Sequence, residues 1–452
     1  MSALFNRSSL ARKVTDTMTH SATSRRVFGA RVLGLASLAV VAMSSLGTAV
    51  HAQMDSAGRP ADARQANPVV HWNQVAAQAY EPTQGLVPLA QTRTFSILHA
   101  SIHDALNAID RRYASYTPGL PAAPRASVEA AVAAAARDVL VALIPDQTAL
   151  VESAYDRALL TVREGPAKAA GIATGQAAAR ATLQRRRGDG ADAATQPVYA
   201  PRPGPGEYQF TAPFAFANLP GWGSVQPFVI DLHEHALEGP QALAGSDYAR
   251  DLAHVKEIGH VASTTRTTEQ SEIARFWYED SPLGWNRIAG TVVRQRGLDA
   301  WDAARAFVLL NFAMADGFIA GFEAKYHFRF WRPVTAIHAA ATDGNPLTEA
   351  DPAWQPFLMT PPVPDYPSTH TVLGWAAAEV LIDLFGDTVR YDASSLTLPG
   401  VTRSYRGFSQ AAEENGLSRI YAGIHFRHAV RDGRRQGRSI GHAVVEALAP
   451  AH

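Results

Sequence analysis

Apolar residues recur at intervals of three and four along most of this chain, and alanine is frequent between them. This spacing puts the apolar side chains on one face of an α-helix, and alanine has the highest helix propensity. Alternating patterns typical of strands are nearly absent. We therefore predict an all-α protein with helices over these segments: 94–112, 125–144, 147–163, 165–186, 247–262, 268–279, 297–324, 370–385, 408–417 and 428–448.

One long segment interrupts the helical pattern. Residues 187–240 are rich in glycine, proline and aromatic side chains, a composition that does not form regular helix. A stretch of this length without secondary structure inside a compact protein is usually a functional loop or a wrapping connector. We expect it to lie over or between helical bundles.

Three pairs of segments resemble one another in the same order in the two halves of the chain. The segments 95–109, 127–146 and 170–183 resemble 307–321, 368–387 and 432–445, respectively. The pairs align Asp104 with Asp316 and Ser127 with Ser368, and the third pair shares glycines at four-residue spacing. An ordered repeat of this kind predicts a duplicated helical bundle. Because the first copy lacks the polar residues described below, we place the active site in the C-terminal bundle.

Charge and cysteine content exclude several classes of function. The 452 residues include 41 basic and 41 acidic side chains, and this balance argues against nucleic acid or an anionic membrane as the main partner. The chain has no cysteine, which excludes disulfides, thiolate catalysis and zinc–thiolate sites. A metal centre must therefore rest on histidine, carboxylate or an oxyanion.

The N-terminal residues have the features of an export signal. SRRVF at 24–28 precedes a weakly apolar run that ends in VHAQ, where small residues stand at the positions that a signal peptidase reads. This pattern predicts a twin-arginine-like signal peptide over 1–52, and an uncleaved membrane anchor is the alternative. Cleavage after Ala52 gives a periplasmic or secreted chain without a membrane span. We divide that chain into an N-terminal bundle with the long loop, 53–240, and a C-terminal bundle with an oxyanion site, 241–452.

Three short segments of the second half carry polar residues that are unusual in apolar, helical surroundings. KYHFRFWRP contains Lys325 and Arg332, PDYPSTH contains Ser368 and His370, and SRIYAGIHFR contains Arg419 and His425.

The spacing within these segments predicts convergence on one anion. Lys325 and Arg332 are seven residues apart, which on one helix places both on the same face. Ser368 follows a proline at a predicted helix start, where an N-cap residue lies beside free backbone amides that attract anions. Gly423 permits a bend between the arginine and the histidine of the third segment. Each residue alone has an ordinary structural explanation, as a surface cation, an N-cap or a satisfied histidine.

Together the three segments supply what a tetrahedral oxyanion requires. Two arginines and a lysine provide charge and directed donors. One imidazole can ligate or attack the central atom, and the other can act as general acid–base. Histidines elsewhere do not match this pattern: His99 and His103, in HASIHD, are four residues apart, and we interpret them as part of a structural network rather than a metal pair.

The motifs K-x6-R-P, P-S-x-H and S-R-x5-H, in this order, resemble the signature shared by type 2 phosphatidic acid phosphatases and vanadium-dependent haloperoxidases. The flanking sequence ADGFIAGFEAKYHFRFWRPVTAI is closer to the haloperoxidase branch, as is a long chain with a duplicated bundle. The match covers about 307–445. The resemblance implies a vanadium haloperoxidase-like fold.

The resemblance also implies a role for each residue. His425 ligates vanadium, or forms a phosphohistidine in a phosphatase, and His370 is the acid–base group. The residues implied to bind vanadate or phosphate are Lys325, Arg332, Ser368, Thr369 and Arg419.

Two departures from the family pattern affect this assignment. Thr369 stands where the superfamily usually has glycine, so its side chain narrows the approach to the anion. Ala429 stands where phosphatases have an acid that orients the catalytic histidine, and Asp432 is the nearest acid in that segment. This loss favours His425 as a ligand over His425 as a nucleophile, because a nucleophile gains more from an orienting acid.

The resemblance implies a haloperoxidase that uses vanadate and hydrogen peroxide to oxidise a halide, bromide or iodide rather than chloride, for transfer to small organic acceptors. The aromatic side chain of Phe322 suits a halide site. An exported acid phosphatase is the first alternative, and a bundle that binds an oxyanion without turnover is the second. The second is disfavoured because binding alone needs no acid–base group such as His370. The oligomeric state, a homo-oligomer included, is left open.

Overall fold

Helices form nearly all of the regular structure in the residues that the computed structural model describes, 67–83 and 88–450. The α-helices of this part of the chain are α1 (Pro68–Tyr80), α2 (Pro88–Ile109), α3 (Val128–Leu143), α4 (Thr148–Leu160), α5 (Pro166–Arg185), α6 (Ser246–Ile258), α7 (Thr268–Phe276), α8 (Ser281–Arg296), α9 (Ala300–Phe328), α10 (Pro333–Ala339), α11 (Thr369–Phe385), α12 (Phe408–Tyr421) and α13 (Arg427–Val445). One antiparallel sheet pairs β1 (Tyr391–Ser394) with β2 (Thr402–Tyr405). The all-α prediction is confirmed.

All ten predicted helices are present, with ends displaced by a few residues. The sequence pattern missed α1, α8, α10 and the β1–β2 hairpin. Helix α10 begins with proline and has only seven residues. A helix of this length is too short to show a clear periodicity of apolar residues. The two strands have four residues each, again too few for an alternating pattern to stand out.

The two halves of the chain repeat one arrangement of three helices. Helix α3 packs against α2 and α5 in the first half, and α11 packs against α9 and α13 in the second. The repeat extends to single hydrogen bonds: the amide of Ser127 donates to Ala167 O at 2.9 Å, and the amide of Ser368 donates to Ala429 O at 3.0 Å. The predicted duplication is confirmed.

Glycines at equivalent positions allow the paired helices to approach closely. A Cβ atom at Gly175 of α5 would lie 2.2 Å from Ala131 O of α3, and one at Gly437 of α13 would lie 2.3 Å from Val372 O of α11. Real Cβ atoms do not make such contacts, so each helix crossing requires a residue without a side chain.

The aligned aspartates also have equivalent roles. Asp104 of α2 accepts hydrogen bonds from the backbone amides of Tyr116 and Thr117, and Asp316 of α9 accepts them from the amides of 228–230. Burial raises the pKa of Asp316 to about 6, against the effect of these three donors. Each aspartate satisfies loop amides that would otherwise be buried without partners.

The segment 187–240 joins the two bundles and covers part of the second. Arg186, at the end of α5, donates to the carbonyls of Gln226 and Pro227. Further along, the amide of Asn218 donates to Pro362 O at 2.7 Å, in the segment before α11. The loop therefore lies where the sequence analysis expected it.

Residues Ala63–His452 form one compact unit, and a continuous apolar core joins α2 to α9. The boundary at residue 240 stays a prediction. The proposed signal peptide, 1–52, lies outside the described residues. Among described helices, α9 alone is long and apolar enough to span a membrane, and 94% of its apolar window is buried in the protein.

The HASIHD segment is a structural network. The side chains of His99 and His103 are buried, with His99 Nε2 3.0 Å from Asn73 Oδ1 and His103 Nδ1 3.2 Å from Asp104 Oδ1. No group of three or more His, Asp or Glu side chains suited to a metal ion occurs in the described part of the chain.

Candidate active site

The first motif spans a turn rather than a helix. Helix α9 ends at Phe328, and Arg329 adopts a left-handed conformation with φ 49°. Arg332 then lies in extended conformation directly before α10. The expectation that Lys325 and Arg332 share one helical face is therefore wrong, because the helix ends between them. Both side chains instead converge on the segment 363–367.

The ammonium group of Lys325 is fully engaged by backbone carbonyls. Its Nζ donates to Pro364 O at 2.6 Å, to Asp365 O at 3.0 Å and to Pro367 O at 2.7 Å. Burial, followed by the nearby charge of Arg332, lowers its pKa well below the ordinary value. Three carbonyl acceptors nevertheless require three N–H donors, so the geometry favours the charged form. Lys325 thus holds the 364–367 segment in place.

Arg332 connects the first motif to the third. Its Nε donates to Val363 O at 2.7 Å, and its Nη1 donates to Ile424 O at 2.6 Å and to His425 Nε2 at 2.9 Å. Because a guanidinium group can only donate, His425 Nε2 is the acceptor and carries no proton. The proton of the neutral ring is therefore on Nδ1. Burial and the charge of Arg332 lower the pKa of His425 well below its usual value, consistent with a neutral ring.

The acid beside His425 is Asp365, which the sequence analysis did not identify. His425 Nδ1 lies 2.9 Å from Asp365 Oδ1, at ion-pair distance. Burial raises the pKa of Asp365 to about 6, while Arg332 opposes the shift. Asp432 is instead engaged elsewhere, by the Tyr366 hydroxyl and by Arg431. His425 therefore has an acid beside it, and the alanine at position 429 does not favour a ligand role over a nucleophile role.

A signal for Asp365 was present in the sequence. It stands three residues before Ser368, inside the PDYPSTH motif, but nothing local shows that a residue of this motif faces the ring of a histidine sixty residues later in the chain.

Arg419 and His425 reach the same cavity because the chain bends between them. Helix α12 ends at Tyr421, Gly423 has φ 78°, and α13 begins at Arg427. The predicted bend at Gly423 is confirmed.

The guanidinium group of Arg419 is buried with few partners. Its Nη1 makes one long hydrogen bond, 3.4 Å, to Trp277 O, and its Nε has no hydrogen-bond partner among the described residues. The group lies 5.5 Å from the ring centroid of Tyr278. Burial lowers the pKa of Arg419 to about 10. An unpaired donor on a buried cation is costly unless an acceptor from outside the chain occupies the site.

The second motif begins α11 as predicted, although its serine does not cap the helix. The Ser368 hydroxyl accepts a hydrogen bond from the Thr371 hydroxyl at 2.8 Å and makes no side-chain cap bond. Thr369 is buried against α9: a Cβ atom at Gly321 would lie 2.5 Å from Thr369 Cγ2. The bare backbone of Gly321 therefore makes room for the threonine methyl group.

His370 faces the cavity from the first turn of α11. Its Nε2 lies 2.8 Å from Trp277 O, and because a carbonyl only accepts, Nε2 carries the proton of the neutral ring. Burial and the charge of Arg419 lower its pKa well below the usual value. Nδ1 is therefore the basic nitrogen of the ring.

These groups surround a cavity of about 200 Å³. Its polar wall includes Arg332, Thr369, His370, Arg419 and His425. Its apolar wall includes Phe214, Phe318, Phe322, Met359 and Val363. Of the residues implied to bind the anion, Lys325 and Ser368 lie behind this wall rather than on it. Tyr278, Asp280 and Met359 also line the cavity; they come from segments outside the three motifs and were not predicted.

The charge of the site fits a tetrahedral oxyanion. Lys325, Arg332 and Arg419 are all buried, and the Asp365 carboxylate lies 3.9 Å from Nη1 of Arg332. Burial is the largest cause of the lowered pKa of each cation. An oxyanion would bring both negative charge and the acceptors that Arg419 lacks, and if Arg332 donated to its oxygens instead, the lone pair of His425 Nε2 would be released for its central atom. Vanadate and phosphate both meet these requirements.

Comparisons with known proteins find similarity to vanadium haloperoxidases. A family model described as the VCPO second helical-bundle domain matches residues 305–451. Vanadium chloroperoxidase from Curvularia inaequalis is 26% identical over 288 residues, which span 48% of this chain and 46% of that protein. The chain thus matches about half the length of this curated relative.

Two solved structures have the same fold over most of the chain. The structure of the first bacterial vanadium-dependent iodoperoxidase superimposes with a TM-score of 0.76 and 26% identity, covering 85% of this chain and 97% of that one. A holo-type bacterial vanadium-dependent chloroperoxidase gives a TM-score of 0.65 and 17% identity, covering 83% and 95%. The family model and the curated relative are those of vanadium haloperoxidases, and the solved structures show that the chain is similar to such enzymes in fold.

Proposed function

We propose that this protein is a vanadate-dependent haloperoxidase that uses hydrogen peroxide to oxidise a halide to a hypohalous species, which reacts with small organic acceptors. The observation that carries the proposal is the set of three buried cations beside a cavity that holds an unprotonated histidine nitrogen. Bound vanadate would supply an electron-poor metal oxide that makes hydrogen peroxide a stronger oxidant.

The chain contributes binding, orientation and proton transfer. His425 Nε2 would hold the vanadium, and Arg332 and Arg419 would hold the oxyanion's oxygens. Lys325 fixes the backbone of 364–367 and adds positive charge from behind the wall. The Asp365 carboxylate, 2.9 Å from Nδ1, favours the proton of His425 on that nitrogen, so that Nε2 can bind the anion once Arg332 donates to the anion's oxygens instead. His370 can accept or return a proton at Nδ1.

We further propose bromide or iodide, rather than chloride, as the halide. Phe318 and Phe322 form an apolar wall beside the cations, and the larger halides lose less hydration energy on entering such surroundings. They are also easier to oxidise.

The proposal is tested by two assays on the purified protein, with and without vanadate. We expect halide oxidation by hydrogen peroxide only when vanadate is present. Rapid hydrolysis of p-nitrophenyl phosphate without vanadate, together with no halide oxidation when vanadate is supplied, would show an acid phosphatase instead. His425 would then be the nucleophile.

A binding experiment tests the site itself. Arg419→Ala should weaken vanadate binding by about 2–4 kcal/mol, the scale of losing one partner of a buried charge pair. Arg419 is the better choice than Arg332, because it has one long backbone contact and its removal disturbs the fold least. Arg434→Ala is the control, since that side chain lies on the exposed face of α13, paired with Glu413. Equal vanadate affinity in the two variants would place Arg419 outside the site.

We also propose that the protein is exported, to the periplasm or beyond, after cleavage of residues 1–52. The support is the twin-arginine-like sequence at the N-terminus. Mass spectrometry of the mature chain tests this: a first residue at Gln53 is expected, and an intact N-terminus in the exported protein contradicts it.

A further inference from the structure

A thioether stands in the wall of the oxyanion cavity. Met359 lies between α10 and α11, and its side chain lines this cavity together with Arg419 and His425. It also lines a second cavity of about 390 Å³ beside Trp354 and Phe357. The Tyr278 hydroxyl donates to Met359 O at 2.6 Å, which fixes the backbone of this residue at the boundary between the two cavities.

Met359 is also the accessible sulfur of the described residues. Its side chain is 50% exposed, whereas Met314, the other methionine of this part of the chain, is 0% exposed in the core. The chain has no cysteine to compete for an oxidant. Sulfur is thus absent from the surface of the described structure except at the cavity.

We propose that Met359 is an oxidation site for the enzyme's own product, so that hypohalous acid formed in the cavity converts its thioether to the sulfoxide. This inference rests on the proposed function, which supplies the oxidant. The thioether sulfur attacks the halogen, so that a sulfur–halogen bond forms as the halogen–oxygen bond breaks and hydroxide leaves. Water then adds to sulfur, halide departs and two protons are released. Sulfur loses two electrons and the halogen gains them, which returns the halide to solution.

The modification changes the wall that carries it. A methionine side chain is flexible and apolar, whereas its sulfoxide is polar and accepts hydrogen bonds. Oxidation therefore places a polar group among the apolar residues where Met359 lines both cavities.

The experiment compares Met359 with an equally simple thioether placed elsewhere. Leu160, at the end of α4, is 84% exposed and is not part of the cavity wall. Leu160→Met therefore introduces a surface thioether in the N-terminal bundle. The full-length variant is supplied with vanadate, bromide and hydrogen peroxide, in the presence of excess free methionine. Peptide mass spectrometry then gives the sulfoxide fraction at positions 160, 314 and 359 over time.

The order of oxidation rates at positions 160 and 359 should differ between turnover and treatment with added hypobromous acid. During turnover, Met359 should be oxidised at least about tenfold faster than the thioether at position 160, because free methionine removes hypohalous acid that has reached solution. When hypobromous acid is added as a reagent instead, the more exposed position 160 should be oxidised at least as fast as Met359. Met314 should stay reduced in both experiments.

Three results would overturn the inference. Equal oxidation of positions 160 and 359 during turnover would make Met359 an ordinary surface methionine. If Met359 were oxidised faster than position 160 by the same factor with hydrogen peroxide alone, without bromide, hypohalous acid would not be the oxidant. A protein that oxidises no halide in the parallel assay would contradict the proposed function, and this inference would fail with it.

Discussion

The two histidines of the cavity differ in the groups that hold their ring nitrogens. His425 accepts a hydrogen bond from Arg332 at Nε2, and its Nδ1 lies 2.9 Å from the Asp365 carboxylate, so each nitrogen has a charged side chain beside it. His370 donates from Nε2 to a backbone carbonyl and has its basic nitrogen free of a charged partner. The first environment suits a ligand, and the second suits a proton carrier.

We therefore expect the two histidines to fail differently. His425→Ala should lose tightly bound vanadate and nearly all halide oxidation together. His370→Ala should still bind vanadate, weaker by about 1–3 kcal/mol, while halide oxidation slows by about 10²–10⁴-fold, the scale of losing a positioned acid–base group. Vanadate titration and initial-rate measurements on both variants check this. Equal loss of vanadate in the two variants would contradict the division of roles.

Asp365 should increase the strength of His425 Nε2 as a ligand rather than bind the anion itself. Asp365→Asn removes a negative charge, which helps any anion to bind, but it also makes Nε2 a poorer ligand. The ratio of vanadate to phosphate affinity separates the two effects, since the change in charge acts on both anions. We expect that ratio to fall by about 10–100-fold.

Asp432→Asn is the matched control for Asp365→Asn. Asp432 is also buried, and it binds Tyr366 and Arg431 away from His425. The ratio of vanadate to phosphate affinity of the Asp432→Asn variant should equal that of the wild type. A similar fall in both variants would indicate a general loss of packing.

At the scale of secondary structure, the ends of helices build the site. Arg332 stands at the start of α10, His370 in the first turn of α11, Arg419 in the last turn of α12, and His425 shortly before α13. Helix ends offer both free backbone amides and abrupt changes of direction. Side chains from distant parts of the sequence can therefore meet around one cavity.

The position of these ends depends on close helix packing, which the glycines permit. Gly437→Ala forces a methyl group against the backbone of α11 and should lower the free energy of unfolding by at least about 2 kcal/mol. Gly175→Ala should do the same in the first bundle. Gly290→Ala in α8 is the control, because the nearest neighbour of its added Cβ lies at 3.6 Å. That variant should gain about 0.5–1 kcal/mol from helix propensity. Denaturant titration of the three variants tests the contrast.

Across the whole molecule, the buried cations link anion binding to stability. A ligand that binds only the folded state stabilises it by about 2.7 kcal/mol at a hundred times its Kd. We therefore expect vanadate and phosphate to raise the melting temperature.

Arg419→Ala should separate the role of this residue in anion binding from its role in the stability of the ligand-free fold. The variant should lose most of the ligand-induced shift while its ligand-free melting temperature is at least that of the wild type, because it no longer buries an unpaired donor. Differential scanning calorimetry measures both quantities. A ligand-free variant that is much less stable would show that Arg419 supports the fold.

The sequence by itself determined the helical class, the duplicated bundle and the histidines and arginines that line the cavity. Helix positions follow from local spacing of apolar residues, and the bend at Gly423 follows from the freedom of a single glycine, so neither needs knowledge of distant contacts. The three motifs likewise indicated which residue types meet an oxyanion.

Only the tertiary structure decided how these residues are partnered. Lys325 donates hydrogen bonds to carbonyls of 364–367, and Asp365 lies beside His425. The loop 187–240 is held in place because its backbone amides donate hydrogen bonds to Asp316. Each of these contacts joins positions far apart in the chain, and each depends on where helices end and cross. Local periodicity carries no information about such contacts, because a buried donor or charge takes whichever partner the packing of the whole molecule brings within reach.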